Sequence, residues 1–101
     1  MASSASPLLS IVIPTYNRDW CIGRAIESAI SQTAPDIEII VSNNGSRDRT
    51  QDVIARYSDP RMRVIHRDIT VSAAQHGNLL RQECKGKFFV GLSDDDYLEP
   101  E

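Results

Sequence analysis

Short apolar runs alternate with amphipathic segments along this chain. Four runs rich in Val, Ile, Leu and Phe lie at residues 8–13, 37–41, 62–65 and 88–92. Apolar stretches of this length and continuity are typical of strands that are buried on both faces of a parallel sheet. We therefore predict four strands at these positions.

The segments between these runs carry apolar residues at helical spacing. Residues 22–30 follow the i, i+3, i+4, i+7, i+8 pattern of one helix face. Residues 50–57 follow the same pattern. A weaker form covers residues 73–84, and Gly86 follows it as a natural helix terminator. Strands that alternate with helices predict right-handed βαβ units, and hence an α/β domain with a mainly parallel sheet of about four strands.

A polar cluster follows each predicted strand. These clusters occupy residues 14–18, 42–46, 66–68 and 93–96. The carboxyl ends of parallel strands meet at one edge of the sheet, which is where α/β proteins bind ligands. A single cluster would be interpreted as an ordinary solvated loop, but four at one edge favour a binding site.

The residue types at this edge narrow the ligand class. No glycine-rich dinucleotide or phosphate loop follows the first strand. Tyr16 stands there instead, and its ring could stack on a nucleobase or pack against the next helix. The adjacent carboxylates of Asp94, Asp95 and Asp96 repel one another unless they are solvated or bridged by a cation, and such oxygen ligands suit Mg²⁺ or Mn²⁺.

Composition excludes several other functions. The 101 residues carry a formal net charge of −3, which argues against a nucleic-acid partner. Cys21 and Cys84 have no metal-binding spacing and are interpreted as buried free thiols of a reduced, cytoplasmic protein. Residues 1–7 lack the features of a signal peptide and are expected to be a disordered lead-in. Four further polar residues could contact a phosphate group but are interpreted as solvated side chains: Arg18, His66, Arg67 and His76.

Four segments along the chain form a recognisable set: residues 10–18 (SIVIPTYNR), 31–33 (SQT), 38–50 (EIIVSNNGSRDRT) and 86–97 (GKFFVGLSDDDY). In this order they resemble the family 2 glycosyltransferases, which have the GT-A fold. Each segment by itself is weak evidence for the family, but the four segments in this order and with these spacings are specific to it. The resemblance implies a Rossmann-like, three-layer nucleotide-binding half, with residues 8–101 forming part of a GT-A domain.

The resemblance also implies roles for individual residues. Tyr16 would stack against the base of a nucleotide-diphosphate sugar, and the backbone at Pro14 and Thr15 would line the base pocket. Asn43 occupies the position of an aspartate that hydrogen-bonds the base in this family. Asp94 would approach the ribose or pyrophosphate. Asp95 would bind Mg²⁺ or Mn²⁺ as the last aspartate of the D-x-D motif.

Two positions depart from the family pattern. Asn43 and Asn44 replace a pair of aspartates, and an amide both donates and accepts, whereas a carboxylate only accepts. This exchange leaves the base of the donor undetermined. Ser93 replaces the first aspartate of D-x-D, so Asp94 and Asp95 would be the two aspartates that perform the role of this motif.

The implied reaction is transfer of a sugar, usually with inversion, to a glycan or a lipid-linked sugar. The catalytic base of such enzymes lies beyond the D-x-D motif, so we expect this piece to contain no catalytic residue, to bind donor and to be inactive alone.

Uncovered apolar surface would favour self-association. The full-length protein could be peripheral to a membrane. Alternatives are a non-catalytic nucleotide-binding module of the same fold, a nucleotidyltransferase and a response-regulator-like domain. A nucleotidyltransferase would have a glycine-rich, basic phosphate loop after the first strand, and a response regulator would have acidic residues there. This chain has Pro14, Thr15 and Tyr16 at that position instead.

Overall fold

A computed structural model describes residues 7–94 of the chain. The elements in chain order are β1 (Leu9–Thr15), α1 (Ile22–Ile30), β2 (Ile37–Asn44), α2 (Thr50–Ile54), β3 (Met62–Arg67), α3 (Ala73–Glu83) and β4 (Phe88–Gly91). The predicted alternation of strands and helices is therefore confirmed. No helix in this part of the chain combines the length and apolar character needed to cross a bilayer.

The four described strands form one parallel sheet in the order β3-β2-β1-β4. The chain adds β2 and β3 on one side of β1 and then returns to place β4 on the other side. The strand order thus reverses at β1. In open α/β sheets a ligand crevice lies at such a reversal, beyond the carboxyl ends of the strands.

Helices cover both faces of the sheet, which makes the three layers. On one face α1 and α2 enclose the larger core with side chains such as Ile11, Ile13 and Val41. On the other face α3 covers a small core of Val12, Ile40 and Leu80. These two sets alternate along β1 and β2, as the two-residue period of a strand requires.

The first three strands extend two or three residues further than the apolar runs predict. β1 continues to Thr15, β2 to Asn44 and β3 to Arg67, because these polar residues still pair in register across the sheet. Pro14 lies within β1 even though it has no N–H to donate. Its position is tolerated since β4 pairs with β1 only as far as Val12, so β1 is an edge on that side at Pro14.

Burial differs between the central and outer strands. β1 and β2 are buried almost throughout, as predicted. The prediction of a strand buried on both faces is wrong for β3, whose residues are partly buried or exposed. It is also wrong for β4, where all four residues are exposed, including Phe88 at 64% and Phe89 at 48%. β4 occupies the edge of the sheet and has one strand neighbour in the described part of the chain.

Two further expectations concern the ends of elements and the thiols. α2 ends at Ile54, three residues before the predicted end, although Tyr57 still packs against the larger core. Cys21 and Cys84 are free, as expected, but only partly buried. The carbonyl of Pro7 accepts a hydrogen bond from the Lys87 N–H, and the rest of the predicted lead-in lies outside the described residues.

Two glycines provide a matched test of the packing. Gly45 has φ of +70°, and a Cβ there would lie 2.6 Å from Thr70 Oγ1, whereas a Cβ at Gly77 in α3 would meet nothing within 4 Å. We expect Gly45→Ala to lower the free energy of unfolding by about 2 kcal/mol or more, from left-handed strain and the clash. Gly77→Ala should raise it by up to about 1 kcal/mol through helix propensity. Chemical denaturation of both variants checks the pair, and equal effects would contradict the close approach of residues 69–70 to Gly45.

Candidate nucleotide-binding site

A cavity of about 410 Å³ lies at the carboxyl edge of the sheet. Its volume is within the usual range of small-molecule sites. The strand ends, the loop after β1, the segment between β3 and α3, the first turns of α3 and the segment after β4 all contribute to it. The lining residues are Pro14, Thr15, Tyr16, Arg18, Asn44, Thr70, Val71, Ala73, His76 and Asp94.

The structure brings together four of the predicted site residues. Pro14, Thr15, Tyr16 and Asp94 all line this cavity, although 78 positions separate Tyr16 from Asp94 in the chain numbering. The Tyr16 side chain is 44% exposed, so its ring is accessible to a ligand at the rim. Asp95, the predicted metal ligand, lies outside the described residues.

Asn43 and Asn44 face opposite sides of β2, and the cavity is lined by Asn44. Asn43 is 3% exposed, its carbonyl accepts from the Ser46 N–H at 3.2 Å, and its amide nitrogen lies 3.2 Å from His66 Nδ1. Sequence reasoning assigned the base contact to Asn43 alone and missed Asn44. The two-residue alternation along the strand could have identified it, since Asn44 shares a face with Ser42, which pairs with the cavity residue Pro14.

The side chain of Asn44 holds the cavity wall in position through two hydrogen bonds. Its amide donates to the Val71 carbonyl at 2.8 Å, and its carbonyl accepts from the Val71 N–H at 3.0 Å. This pair of bonds ties the segment before α3 to the end of β2. Ser72 then begins α3 with a capping box, in which Ser72 Oγ accepts from the Gln75 N–H at 3.2 Å. The wall formed by Thr70, Val71 and Ala73 is therefore held by hydrogen bonds to the end of β2 and by the cap of α3.

The loop that carries Tyr16 is bound to the loop after β2 by reciprocal hydrogen bonds. The Asn17 N–H donates to Ser46 Oγ at 2.9 Å, and the Arg47 N–H donates to Asn17 Oδ1 at 2.8 Å. Asn17 has φ of +53°, a left-handed conformation that asparagine adopts more readily than most residues. This left-handed backbone conformation explains why asparagine occupies position 17, between Tyr16 and Arg18.

Asp48 connects the same two loops at a second point. Its carboxylate accepts from the Thr50 N–H at 2.9 Å, from Thr50 Oγ1 at 2.6 Å and from the Asp19 N–H at 3.2 Å. Partial burial raises the pKa of this carboxyl, but the hydrogen bonds from Thr50 and Asp19 outweigh it and hold the pKa below its ordinary value. The Arg18 N–H also donates to Thr50 Oγ1 at 2.9 Å. These contacts fix the backbone on which Tyr16 and Arg18 stand.

Asp94 is the carboxylate of the described cavity, and Arg18 pairs with it. Arg18 Nε lies 3.6 Å from Asp94 Oδ1, with the two side chains 45% and 14% exposed. Within residues 7–94 no group of three His, Cys, Asp or Glu side chains could enclose a metal ion. Mg²⁺ commonly uses one or two protein carboxylates and completes its shell with phosphate and water oxygens, so Asp94 fits a metal that arrives with a diphosphate.

His76 and Arg67 correct the expectation that these side chains are solvated. His76 is 5% exposed, and its Nε2 lies 2.7 Å from Ser42 Oγ beneath the cavity. Burial, aided by the charge of Arg67, lowers the pKa of His76 from its ordinary value of 6.5 and favours the neutral imidazole. Arg67 Nε and Nη2 are buried without a hydrogen-bond partner, as is the Thr15 hydroxyl. The burial of His76 was not predicted because the helix periodicity of α3 is weak, and the burial of the Arg67 nitrogens was not predicted because Arg67 follows the apolar run of β3.

Residues 10–101 match the family described as glycosyl transferase family 2. The chain belongs to this family. A chondroitin synthase of Pasteurella multocida (strain Pm70) is 38% identical to it over 97 residues, which cover 94% of this chain and 10% of that protein. The chain spans between 10% and 36% of the length of the curated relatives compared with it. The resemblance inferred from the four sequence segments is therefore confirmed.

Solved structures confirm the GT-A fold of this family 2 chain. S. aureus TarS 1-349 in complex with UDP matches it with a TM-score of 0.80 and 23% identity, covering 89% of this chain and 28% of that one. Mannosyltransferase PcManGT from Pyrobaculum calidifontis, in complex with GDP-Man and Mn²⁺, matches with a TM-score of 0.79 and 20% identity, covering 91% and 28%. At this level of identity the likeness concerns the fold.

The buried histidine gives the chain a specific pH dependence. Since the folded pKa of His76 lies below 6.5, the unfolded chain binds more protons between these two values. The free energy of unfolding should therefore fall as the pH decreases from 7.5 to 5.5. His76→Asn should remove this part of the decrease, whereas His66→Gln, which replaces the other histidine, should retain it. Denaturant titrations at both pH values measure the difference, and an unchanged pH slope in His76→Asn would contradict the assignment.

Proposed function

We propose that this chain binds a nucleoside diphosphate sugar and serves as the donor-binding half of a family 2 glycosyltransferase. The observation that carries the proposal is the presence of the Tyr16 ring and the Asp94 carboxylate in the lining of one cavity. The TarS and PcManGT structures, which hold UDP and GDP-Man, support a nucleotide-sugar ligand for this fold. The activity of the whole protein is part of the proposal, because this chain spans a fraction of its relatives.

Each wall of the cavity offers a contact for one part of such a donor. Tyr16 stacks on the base, and the backbone at Pro14 and Thr15 encloses the edge of the base. Thr15 lines the cavity, and its buried hydroxyl has no hydrogen-bond partner among the described residues. Asp94 accepts a hydrogen bond from the ribose or takes part in binding the pyrophosphate through a cation. Asn43 remains our proposed contributor to base recognition, acting from behind the cavity wall through Ser46 and His66.

A divalent cation completes the proposed site. Asp95 and Asp94 would hold Mg²⁺ or Mn²⁺, which as a Lewis acid would neutralise charge on the leaving diphosphate. The PcManGT structure contains Mn²⁺ with its donor and supports this assignment. Without a counter-charge, the Asp94 carboxylate would repel a diphosphate in the same cavity.

The proposed reaction is a single displacement with inversion. The hydroxyl of an acceptor glycan or lipid-linked sugar attacks the anomeric carbon, the bond to the diphosphate breaks, and a general base takes the hydroxyl proton. In the described cavity Asp94 is paired with Arg18, and His76 is buried against Ser42. Neither side chain is available as that base among the described residues, which supports our proposal that this chain binds donor without transferring the sugar. A non-catalytic nucleotide-binding module of the same fold is the alternative.

Nucleotide binding tests the proposed function directly. UDP and GDP, each with and without Mn²⁺, are titrated into the chain by calorimetry. We expect at least one of them to bind more tightly with Mn²⁺, and Asp95→Ala to abolish that gain. Tyr16→Ala should weaken binding by about tenfold with or without the metal, through loss of stacking worth ~1–3 kcal/mol.

Asp52→Ala provides the control for this titration, because Asp52 lies on α2 and pairs with Arg49 at the surface. Its affinities should equal those of the unsubstituted chain. Failure of both nucleotides to bind would contradict the proposed donor site. Unchanged metal dependence in Asp95→Ala would remove Asp95 from the metal role, and turnover of UDP-GlcNAc or GDP-mannose by the chain alone would contradict the assignment as a binding half.

Self-association through the β4 edge is a further part of the proposal. Phe88, Phe89 and Val90 are exposed by 64%, 48% and 41%, and no strand pairs with the outer side of β4 among the described residues. Exposed apolar edges of this kind pair with other chains. A second copy could therefore bury this strand.

Lysines on the edge strand should prevent this association. The double variant Phe88→Lys and Val90→Lys places two charges on one face of β4, and we expect it to be monomeric where the unsubstituted chain forms dimers or larger species. Ile69→Lys is the matched control, since Ile69 is 77% exposed and lies outside β4. Light scattering across a concentration series measures the mass. A monomeric unsubstituted chain at every concentration would contradict the association.

A further inference from the structure

Arg18 lies between the candidate pocket and an exposed tryptophan. Its Nε is 3.6 Å from Asp94 Oδ1, and its guanidinium carbon is 5.8 Å from the centre of the Trp20 ring. The Arg18 N–H is held by Thr50 Oγ1, whereas the side chain is 45% exposed. The backbone of Arg18 is thus fixed while its guanidinium retains freedom to change partners.

The charges of the cavity make Arg18 the natural partner of any anion that binds there. Of the described lining residues, Arg18 is the one with a permanent positive charge, and Asp94 is the one carboxylate. A diphosphate in this cavity would add negative charge beside Asp94. The planar guanidinium of arginine binds either a carboxylate or a phosphate through two N–H groups, and the two anions therefore compete for it.

We propose that Arg18 is an exchangeable counter-ion that pairs with Asp94 in the free protein and with the diphosphate in the bound protein. This inference rests on the proposed function and adds to it a residue that binds phosphate and limits access of a cation to Asp94. When a divalent cation and a nucleoside diphosphate enter together, the cation takes over Asp94 and the guanidinium turns to the phosphate oxygens.

If this exchange occurs, removing Arg18 should change the affinity for Mg²⁺ and the affinity for nucleotide in opposite directions. Arg18→Gln frees Asp94 from its partner, so Mg²⁺ alone should bind more tightly. The same substitution removes a cation that would contact the diphosphate, so UDP or GDP should bind less tightly. A purely structural role of Arg18 would weaken both, because a distorted loop would impair every ligand.

Trp20 provides a second readout that does not depend on activity. It is the single tryptophan of the chain, and its ring is 71% exposed. A cation positioned over an indole ring interacts with its electrons. Movement of the guanidinium from Asp94 towards the diphosphate should therefore change the emission of Trp20, and Arg18→Gln should abolish that change.

The experiment titrates Mg²⁺ alone, and then UDP or GDP at saturating Mg²⁺, into the unsubstituted chain and three variants. In Arg18→Gln we expect Mg²⁺ affinity to rise severalfold and nucleotide affinity to fall by about tenfold, the usual scale for loss of a charge-assisted hydrogen bond. Arg18→Lys should retain part of the nucleotide affinity. Arg49→Gln removes an equal charge from a side chain that pairs with Asp52 away from the cavity lining, and both affinities should be unchanged.

The outcomes separate this inference from the proposed function. Nucleotide binding that is equal in the unsubstituted chain and in Arg18→Gln, with the same Trp20 emission change, would overturn the role of Arg18 and leave the donor site intact. A parallel loss of Mg²⁺ and nucleotide affinity would also overturn it. Absence of UDP and GDP binding to the unsubstituted chain would overturn both. Opposite shifts in the two affinities, with loss of the Trp20 response, are the expected result.

Discussion

The parallel pairing of β1 with its neighbours is the constraint on which the site depends. β1 pairs with β2 from Leu9 to Thr15 and with β4 from Leu9 to Val12. Because the four described strands run in the same direction, their carboxyl ends meet at one edge, and residues distant in the chain become neighbours there. The early end of the β4 pairing leaves the last residues of β1 with one strand neighbour. The cavity opens at that point, and Asp94 lines it from the segment after β4.

The loops at this edge are positioned chiefly by hydrogen bonds to one another. Asn17, Ser46 and Asp48 accept or donate across the two loops that follow β1 and β2. Buried backbone groups that leave a strand need such partners, because an unpaired N–H costs free energy. The family segments around Tyr16 and Gly45 thus combine two tasks. Some of their residues line the cavity, and others hold the loops that present them.

The face of the sheet beneath α3 is unusually polar, and its two ends differ in how well they are satisfied. At the amino end, the Glu38 carboxylate accepts from Ser10 Oγ and the Lys85 N–H and lies near Arg63. Desolvation raises the pKa of Glu38, but these partners outweigh it and keep the pKa below its ordinary value. At the carboxyl end, Ser42 and His76 pair, while Arg67 has buried nitrogens without a partner, and the Thr15 hydroxyl of β1 is likewise unpaired at this edge. The unpaired polar atoms among the described residues therefore lie at the carboxyl end of the sheet, beside groups such as Ser42 and His76 that are satisfied.

Hydrophobic periodicity determined the order and type of the elements, since burial of apolar side chains acts through local spacing. The ordered segments also determined the family. Tertiary structure decided what depends on neighbours. Polar residues 42–44 continue β2 because β1 and β3 pair with them. β4 is exposed because the described helices pack mainly on β1 and β2, and His76 is buried because α3 packs on Ser42. The choice of Asn44 over Asn43 at the cavity wall follows from strand alternation, and only the register shows which face holds the cavity.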